Sequence, residues 1–394
     1  MNIAILGYGT VGIGVHEIIE KLQGKHASLH VSHILIRKGK AKTSSLMCDD
    51  IEVILNDPRV DIVVEVLGGM EPAHSYIMAS LQAGKHVVSA NKAVIAKYMK
   101  EFHACANQHG VKFLYEASCG GGIPWIASLL KVKRIDCIDE IRGIFNGTTN
   151  YILDHMVKEN AQFDAVLGKA QELGYAEKDP SADIDGIDVQ NKLKISASLA
   201  FNYDILQNFP TFGIRSIRKH DIDYFKEMGR TVKLMAMASC RDNRYFAAVE
   251  PILYTPLAVE AAIDETVNLG CLHGESVGDL KFYGQGAGKL ATANAVVQDL
   301  LDIEQNVPLQ EVHFDAQLRV DTSLLHGRYI VRTNLKEASL QAILKDTFDY
   351  SNVYKNETYV HTKDISVYQM HQYMKEIQKM DKDAFMARVD EVAV

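Results

Sequence analysis

A glycine-rich turn near the start of the chain constrains the fold more than any other feature of the sequence. It lies in NIAILGYGTVGIGVHEIIEKL, between a predicted buried strand from Ile3 to Leu6 and a helix that carries apolar residues on one face. Gly7 permits a tight turn, Gly9 leaves room for a pyrophosphate, and Gly12 allows close packing of helix against strand. Between a strand and a helix, this spacing predicts a dinucleotide-binding βαβ unit, whereas a lone glycine motif would indicate only a turn.

The rest of the first third continues the alternation that is typical of a doubly wound parallel sheet. HVSHILIRK, DIVVEVLGG, KHVVSANK and KFLYEAS are predicted strands, and SYIMASLQAG is a predicted helix closed by Gly84. Ligands of such sheets bind beyond the carboxyl ends of the strands. This predicts a position near the ligand for Glu65, Gly68, Asn91 and Lys92, although Lys92 is equally well interpreted as a surface lysine.

The end of the second predicted strand bears on the choice of cofactor. A site selective for NAD typically has an acid there, which accepts a hydrogen bond from the adenosine 2′-hydroxyl. This chain has Arg37 and Lys38 instead. Two cations can bind a 2′-phosphate, so the sequence favours NADP while leaving NAD possible.

Three successive glycines, Gly120 to Gly122, follow the strand KFLYEAS and precede a helix that starts at a proline. Their open carbonyl and N–H groups suit a substrate, a cofactor ring or a small hard cation; a flexible connector is the alternative. Cys119 next to them invites comparison with a catalytic thiol. Because no histidine is close in sequence, we do not favour that role.

From about Cys137 the pattern changes to that of an α+β region, with a strand in DCIDEIRGIF followed by the polar turn FNGTTN and a helix. The acidic stretch DPSADIDGIDVQNKLKI comes later, between two amphipathic helices. If its second half is helical, Asp188 and Lys192 share a face, and Asp185 or Asp188 can cap the helix. The pair is then either a surface ion pair or an ammonium held beside a substrate hydroxyl.

Composition excludes several classes of protein. The 394 residues are 47% hydrophobic with a formal charge of −8 and no long basic block, which disfavours a nucleic-acid partner and favours a small molecule. The opening MNIAILGYG is too short and too weakly basic for a signal peptide, and no segment reads as a membrane span, so a cytoplasmic location is expected. Six scattered cysteines without a CxxC pair argue against a zinc site or a disulfide framework.

Taken together, these motifs resemble the homoserine dehydrogenase family. The matching segments are GYGTVGIG, SANK, YEASCGGGIP, FNGTTNYI, LGYAEKDPSADIDGIDVQNKL and GQGAGKLATANAV, which run over roughly residues 1 to 300 in the order of the family. The resemblance implies an NAD(P)-dependent oxidoreductase that interconverts L-homoserine and L-aspartate 4-semialdehyde, in threonine and methionine biosynthesis. It also implies a homodimer or a higher homo-oligomer.

The resemblance further implies roles for individual residues. Lys192 would donate and accept the proton, and Lys92 would lie near the nicotinamide and the reacting carbon. The substrate-binding acids would be Glu177 and Asp188, with Asp183 in support. The cofactor would contact Gly7, Gly9, Thr10, Val11, Gly12, Arg37, Lys38, Lys92 and Gly288. A monovalent cation, expected to be sodium, would be held by oxygens of Glu116, Cys119, Gly121 and Ile123.

The expected fold class is α/β, in three segments. Residues 1–135 form a Rossmann-type domain completed by a helix near 288–303, residues 136–304 an α+β domain for substrate binding and dimerisation, and residues 305–394 a small α+β module. GRYIVRTNLKEASLQAILKDTF and NVYKNETYVHTKDIS predict its strands and a helix. The Asp-x-Pro-Gly-type turn of ACT ligand loops is missing, so the module is interpreted as degenerate ACT-like or specific to the family.

Two other functions are compatible with parts of the sequence. One is a dehydrogenase of another amino or hydroxy acid, which the complete DPSADIDGIDVQNK block disfavours. The other is a regulator that senses a nicotinamide dinucleotide, which the absence of a basic helix-turn-helix segment disfavours. Turnover of substrate would separate the enzyme from the sensor.

Overall fold

The computed structural model describes residues 1–22, 28–308 and 310–391. The chain divides into two compact units, of which the first contains the described residues of Met1–Ile135, Lys194–Ile205 and Gly284–Asp315. The second contains the remaining described residues. Across these described ranges, no helix is both long and apolar enough to cross a membrane.

Strands and helices alternate along the first 135 residues. In chain order they are β1 (Asn2–Leu6), α1 (Thr10–Leu22), β2 (His30–Leu35), β3 (Met47–Cys48), α2 (Glu52–Leu55), β4 (Val60–Glu65), α3 (Ala73–Gln82), β5 (His86–Ser89), α4 (Lys92–His109), β6 (Phe113–Leu114), a 3₁₀ turn (Glu116–Ser118) and α5 (Trp125–Val132).

The middle of the chain, described throughout, begins with one strand, continues with five helices and ends with four antiparallel strands. The elements are β7 (Ile138–Ile144), α6 (Gly147–Glu159), α7 (Phe163–Glu172), α8 (Ser181–Ile184), α9 (Ile187–Phe201), α10 (Lys219–Glu227), β8 (Thr231–Arg241), β9 (Arg244–Tyr254), a 3₁₀ turn (Val259–Ala262), β10 (Val267–Gly274) and β11 (Gly278–Gln285).

The last part of the chain begins with a long helix and then alternates again. It contains α11 (Lys289–Glu304), β12 (Arg319–Val320), β13 (His326–Thr333), α12 (Glu337–Leu344), a 3₁₀ turn (Lys345–Thr347), β14 (Phe348–Tyr354), β15 (Glu357–Thr362), β16 (Ile365–Ser366), α13 (Val367–Met380) and β17 (Phe385–Val389).

The first unit is built on a six-stranded parallel sheet with the order β3-β2-β1-β4-β5-β6. This is the strand order of the Rossmann fold, and it reverses direction between β1 and β4. The predicted doubly wound sheet is therefore confirmed. The crevice beyond the carboxyl ends of β1 and β4 is where this fold binds dinucleotides.

Helix α11 packs against α1 in this unit. A Cβ atom at Gly14 would lie 2.9 Å from the Lys289 carbonyl oxygen and 3.0 Å from the Ala293 Cβ, so glycine is what allows the two helices to approach. Ala293, Val296 and other residues of α11 share one buried apolar cluster with residues of β1 and α1. A segment distant in sequence thus covers the first βα unit.

Two predicted strands are shorter than expected. KFLYEAS contains only the two-residue strand β6, because the Ser118 N–H bonds the Tyr115 carbonyl and the chain turns into a 3₁₀ helix. KHVVSANK leaves the sheet after Ser89. Lys92 is the first residue of α4 and not the end of a strand, and Asn91 caps that helix with its side chain.

The second unit contains an eleven-stranded sheet. Nine strands follow the order β11-β10-β7-β8-β9-β17-β13-β15-β14, while β12 pairs with β9 and β16 with β13. Strands β8 and β9 form its longest antiparallel pair, with almost all of their residues buried. The predicted strand IRGIF, here β7, lies between β8 and β10.

Residues 326–389 have the order β13-α12-β14-β15-α13-β17, a βαββαβ arrangement of the ferredoxin-like type. Leu340, Met370 and Met386 are among the side chains of its buried core. The α+β module predicted from the sequence is therefore present. It is continuous with the larger sheet because β17 pairs with β9 in parallel, through Arg388 with Ile252 and Val389 with Leu253.

Candidate functional site

The glycine loop after β1 has the geometry that a dinucleotide pyrophosphate requires. Gly7 has φ +102°, and a Cβ atom at Gly12 would lie 2.1 Å from the Gly7 carbonyl oxygen, so neither position tolerates a side chain. A Cβ atom at Gly9 would meet no protein atom within 4 Å. Open space at Gly9 next to the first turn of α1, with Thr10 and Val11, fits a bound phosphate.

Arg37 and Lys38 lie just beyond β2, and both are exposed. They occupy a turn in which the Lys40 N–H bonds the Arg37 carbonyl oxygen at 3.0 Å. Both side chains are therefore accessible at the carboxyl end of β2. Gly288 precedes α11 with φ +117°, a conformation that favours glycine.

Glu65 ties together the loops after β4 and β5. Its carboxylate is fully buried and accepts from the Ser89 hydroxyl at 2.6 Å and from the Leu67 N–H at 2.9 Å. Burial raises the pKa of Glu65. The Asn91 amide donates to the Gly69 carbonyl at 2.7 Å and caps α4, so the same set of bonds places half-buried Lys92 at the helix start.

The glycine turn after β6 is held by backbone contacts. Gly120 and Gly121 have φ values of +79° and +59°, and a Cβ atom at Gly121 would lie 2.4 Å from the Gly286 carbonyl carbon. The Gly122 N–H bonds the Gln285 carbonyl oxygen at 2.9 Å. These contacts give the turn a defined backbone, so the alternative of a flexible connector does not describe it.

The other members of the predicted cation site adjoin this turn. The Glu116 carboxylate accepts from the N–H groups of Ile126 and Ala127, at 2.8 and 2.7 Å, at the start of α5. Burial outweighs these donors and raises the pKa of Glu116 to about 7. Its carboxylate is thus engaged with the start of α5. Cys119 is fully buried, and the Ile123 carbonyl accepts from the Trp125 N–H at 2.7 Å.

The acidic stretch contains a buried ion pair in the second unit. Lys192 Nζ lies 2.9 Å from Asp188 Oδ2, and the two side chains are only 9% and 6% exposed. Lys192 also donates to the Phe145 carbonyl at 2.6 Å. The interpretation as a surface ion pair is therefore wrong. Asp188 lies inside the first turn of α9 and is not its cap.

Asn146 joins this pair to a second acid, and the sequence reasoning missed that role. Its amide nitrogen donates to Asp183 Oδ1 at 2.7 Å and to Asp188 Oδ2 at 2.8 Å. The sequence marked FNGTTN as a polar turn within a family-like segment, but it gave no role to Asn146. The available signal was an amide placed directly at the end of a strand, where ligands of many sheets are bound.

The other charged residues of the acidic stretch make different contacts. Glu177 is exposed between α7 and α8, and its carbonyl accepts from the Gln171 amide at 3.0 Å. The Asp185 carboxylate pairs with Arg215 at 2.6 Å, and α9 begins only at Ile187, so Asp185 does not occupy its cap position. Lys194, on the same helix as Lys192, pairs with Asp204 at 3.0 Å.

Each unit thus carries one part of a dehydrogenase chemistry. The first unit has a cradle that fits a dinucleotide phosphate, together with Lys92 at the carboxyl edge of the sheet. The second unit brings together Lys192, Asp188 and Asp183, which are groups that can hold an ammonium and move a proton.

Two family models match most of the first 301 residues of the chain. Residues 7–116 match the family model described as "Homoserine dehydrogenase, NAD binding domain", and residues 124–301 match the one described as "Homoserine dehydrogenase". The chain is 42% identical over 316 residues to the homoserine dehydrogenase of Synechocystis sp., covering 77% of this chain and 73% of that protein. It is 36% identical over 320 residues to that of Bacillus subtilis, covering 78% and 74%.

Solved structures give the same result. A homoserine dehydrogenase from Thiobacillus denitrificans superimposes with a TM-score of 0.86 at 32% identity, covering 99% of this chain and 98% of that one. A hyperthermophilic archaeal homoserine dehydrogenase mutant in complex with NADPH superimposes with a TM-score of 0.67 at 25% identity, covering 78% and 98%. By sequence and by fold, this chain belongs to the homoserine dehydrogenase family and has its nicotinamide-dinucleotide-binding domain.

Proposed function

We propose that Lys192 moves the proton in the interconversion of L-homoserine and L-aspartate 4-semialdehyde by this enzyme. The observation that carries the proposal is the buried pair of Lys192 with Asp188, 2.9 Å apart, at the end of β7. A lysine with a fixed direction and little contact with water suits proton transfer better than one in solution.

The substrate explains why acids and lysines occur together. Homoserine has an ammonium, a carboxylate and a primary alcohol, so its site needs anions for the first group and cations for the other two. We assign the substrate ammonium to Glu177 and Asp188, with Asp183 in support, and the carboxylate and nicotinamide side to Lys92. In this assignment Asp188 contacts the substrate as well as Lys192, and it orients both.

In alcohol oxidation the hydride leaves the carbon and the proton leaves the oxygen, and each goes to a different acceptor. When bound, the nicotinamide accepts the hydride of the alcohol carbon and returns it in the reverse direction. During oxidation, Lys192 as the free amine takes the hydroxyl proton while the carbonyl forms. During reduction, its ammonium gives a proton to the carbonyl oxygen. The Phe145 carbonyl, 2.6 Å from Nζ, keeps the amine aimed in one direction.

The rate of NADPH oxidation with L-aspartate 4-semialdehyde, followed at several substrate concentrations, tests these roles. Variants of the substrate acids should raise KM more than they lower kcat, because they act on the bound ammonium. Variants of Lys192 should lower kcat itself. The reverse pattern would contradict the assignment.

NADP is the cofactor that we propose for this enzyme. Arg37 and Lys38 are exposed cations beyond β2, where an acid would favour NAD. The structural similarity to an archaeal relative in complex with NADPH supports the same choice.

Changing Arg37 and Lys38 together to alanine is expected to raise KM for NADP by about 10- to 100-fold, since two charge-assisted hydrogen bonds to the 2′-phosphate are lost. KM for NAD should change by less than about 3-fold, because NAD has no phosphate at that position. Initial rates with both cofactors measure the difference. Lys100→Ala, which removes an exposed lysine from α4, is the control. An equal loss for both cofactors would contradict the phosphate assignment.

We also propose that oxygens of Glu116, Cys119, Gly121 and Ile123 hold a monovalent cation, sodium being the candidate. The defined backbone of the glycine turn supports this proposal, and main-chain oxygens are suitable ligands for a hard cation. Thermal unfolding in sodium chloride compared with choline chloride at equal ionic strength tests binding without an activity assay.

Further proposals rest on the family resemblance. They are a homodimer or higher homo-oligomer, a cytoplasmic location, a part in threonine and methionine biosynthesis, and the division into segments 1–135, 136–304 and 305–394. Sedimentation velocity at several protein concentrations measures the oligomeric state. A degenerate ACT-like role for the last segment is supported by its βαββαβ order.

A further inference from the structure

Asn146 uses its whole side chain to join three elements of the second unit. It is 4% exposed and stands between β7 and α6. Its Oδ1 accepts from the Thr149 N–H at 2.8 Å, which caps α6. Its Nδ2 donates one hydrogen to Asp183 on α8 and one to Asp188 on α9. An amide has two donors, so both are used by these carboxylates.

The contact with Asp188 falls on the oxygen that pairs with Lys192. Asp188 Oδ2 lies 2.8 Å from Asn146 Nδ2 and 2.9 Å from Lys192 Nζ. Lys192 in turn donates to the carbonyl of Phe145, the residue before Asn146. The two residues that follow β7, Phe145 and Asn146, therefore hold both members of the ion pair, one through its backbone and one through its side chain.

We propose that Asn146 is a positioning residue for proton transfer, which keeps Asp188 Oδ2 facing Lys192 and holds Asp183 beside it. This inference rests on the proposed function of Lys192. Asn146 does not have to touch the substrate to act in this way.

The absence of charge on the amide is essential to this role. The charged groups of the cluster include Asp183, Asp188 and Lys192. Two carboxylates within hydrogen-bond distance of one atom repel each other unless donors separate them. An amide supplies two donors without adding charge, whereas an acid would add repulsion and a lysine would compete with Lys192 for Asp188.

Asn146→Asp separates the helix-capping function of the residue from its function as a donor to Asp183 and Asp188. Aspartate caps a helix as well as asparagine does, so the bond to Thr149 is retained. The two donors are lost, and a third carboxylate faces Asp183 and Asp188. We expect kcat/KM for homoserine to fall by about 10- to 100-fold, as for other groups that orient a reacting side chain. The affinity for NADPH, measured by fluorescence, should stay within about 3-fold of wild type.

The pH profile is the measurement that a helix cap alone would not move. In Asn146→Asp a third carboxylate changes the charge of the cluster, so the pH profile of homoserine oxidation should move to higher pH relative to wild type. Asn146→Ser keeps a cap and one donor, and should show an intermediate rate. Ser366→Ala, which removes the cap of α13, should lower Tm without changing kcat.

Two results would overturn the proposal. One is an Asn146→Asp enzyme whose kcat/KM stays within about 3-fold of wild type, because that loss is much smaller than the loss expected for a positioning residue. The other is a lower rate at every pH with an unchanged profile in both Asn146 variants, which would reduce Asn146 to a structural cap. Lys192→Met, assayed in parallel, distinguishes failure of the Asn146 proposal from failure of the proposed function of Lys192. Full activity of Lys192→Met would refute the proposed function of Lys192 itself.

Discussion

Lys192→Met is expected to lower kcat by about 100- to 10,000-fold in both directions of the reaction, because a group that transfers the proton in the transition state is removed. Methionine keeps most of the volume of the lysine stem. The effect should appear in kcat and equally in kcat/KM, since the lysine acts on the reacting oxygen more than on binding of the ground state. Stopped-flow measurement of NADPH oxidation, at saturating substrate, checks this.

Lys194→Met is the matched control for that experiment. Lys194 lies on the same helix, is also buried, and pairs with Asp204 at 3.0 Å. Breaking either pair should destabilise the protein, by about 3–5 kcal/mol when the remaining charge is fully buried and by less when it is partly exposed. Only the Lys192 variant should lose turnover. Similar losses of kcat in both variants would indicate damage to α9 and not the removal of a proton carrier.

Gly12→Ala is expected to have the second-largest effect, on both cofactor binding and stability. The new Cβ atom would lie 2.1 Å from the Gly7 carbonyl oxygen, so the loop and the start of α1 must separate. Overpacking of this kind costs about 1–3 kcal/mol or more of the free energy of unfolding. The affinity for NADPH should fall by at least about 10-fold, because the backbone N–H groups at the helix start move away from the phosphate.

Gly9→Ala separates the effect on cofactor binding from the effect on stability. A Cβ atom at Gly9 has no protein neighbour within 4 Å, so the Tm of the free enzyme should stay close to that of wild type. The same methyl group occupies the space expected for the pyrophosphate, and NADPH binding should still fall. Thermal unfolding with and without NADPH measures both effects. An unchanged NADPH-induced shift of Tm in Gly9→Ala would contradict the location of the phosphate.

Local patterns predicted the elements whose formation depends on neighbouring residues. Strand β1, the glycine loop and α1 follow from a short apolar run and three glycines. The strand predicted in KFLYEAS ends after Leu114, and one of the contacts that hold the chain beyond that point is non-local. The Glu116 carboxylate bonds N–H groups of Ile126 and Ala127, ten and eleven residues further on, and the chain turns to reach them. No propensity of the segment itself indicates that partner.

At the candidate site too, the sequence did not reveal contacts between residues that are distant along the chain. The spacing of Asp188 and Lys192 predicted that they share a helix face, but it could not distinguish a surface pair from a buried one, because burial depends on what packs over the helix. Asn146 lies about forty residues before its two acidic partners. Its role depends on the arrangement of β7, α8 and α9, and a periodic pattern carries no information about such contacts.

The position of β17 has a consequence for how the protein is made. This strand is the last in the described chain, yet it lies inside the eleven-stranded sheet, between β9 and β13. A ribosome that has released only β7 to β11 has therefore exposed an unfinished sheet, whose long strand β9 still lacks that neighbour. Such an open edge can pair with other nascent chains. Completion of the sheet must therefore wait until residue 389 has left the exit tunnel, and β9 remains without that neighbour until then.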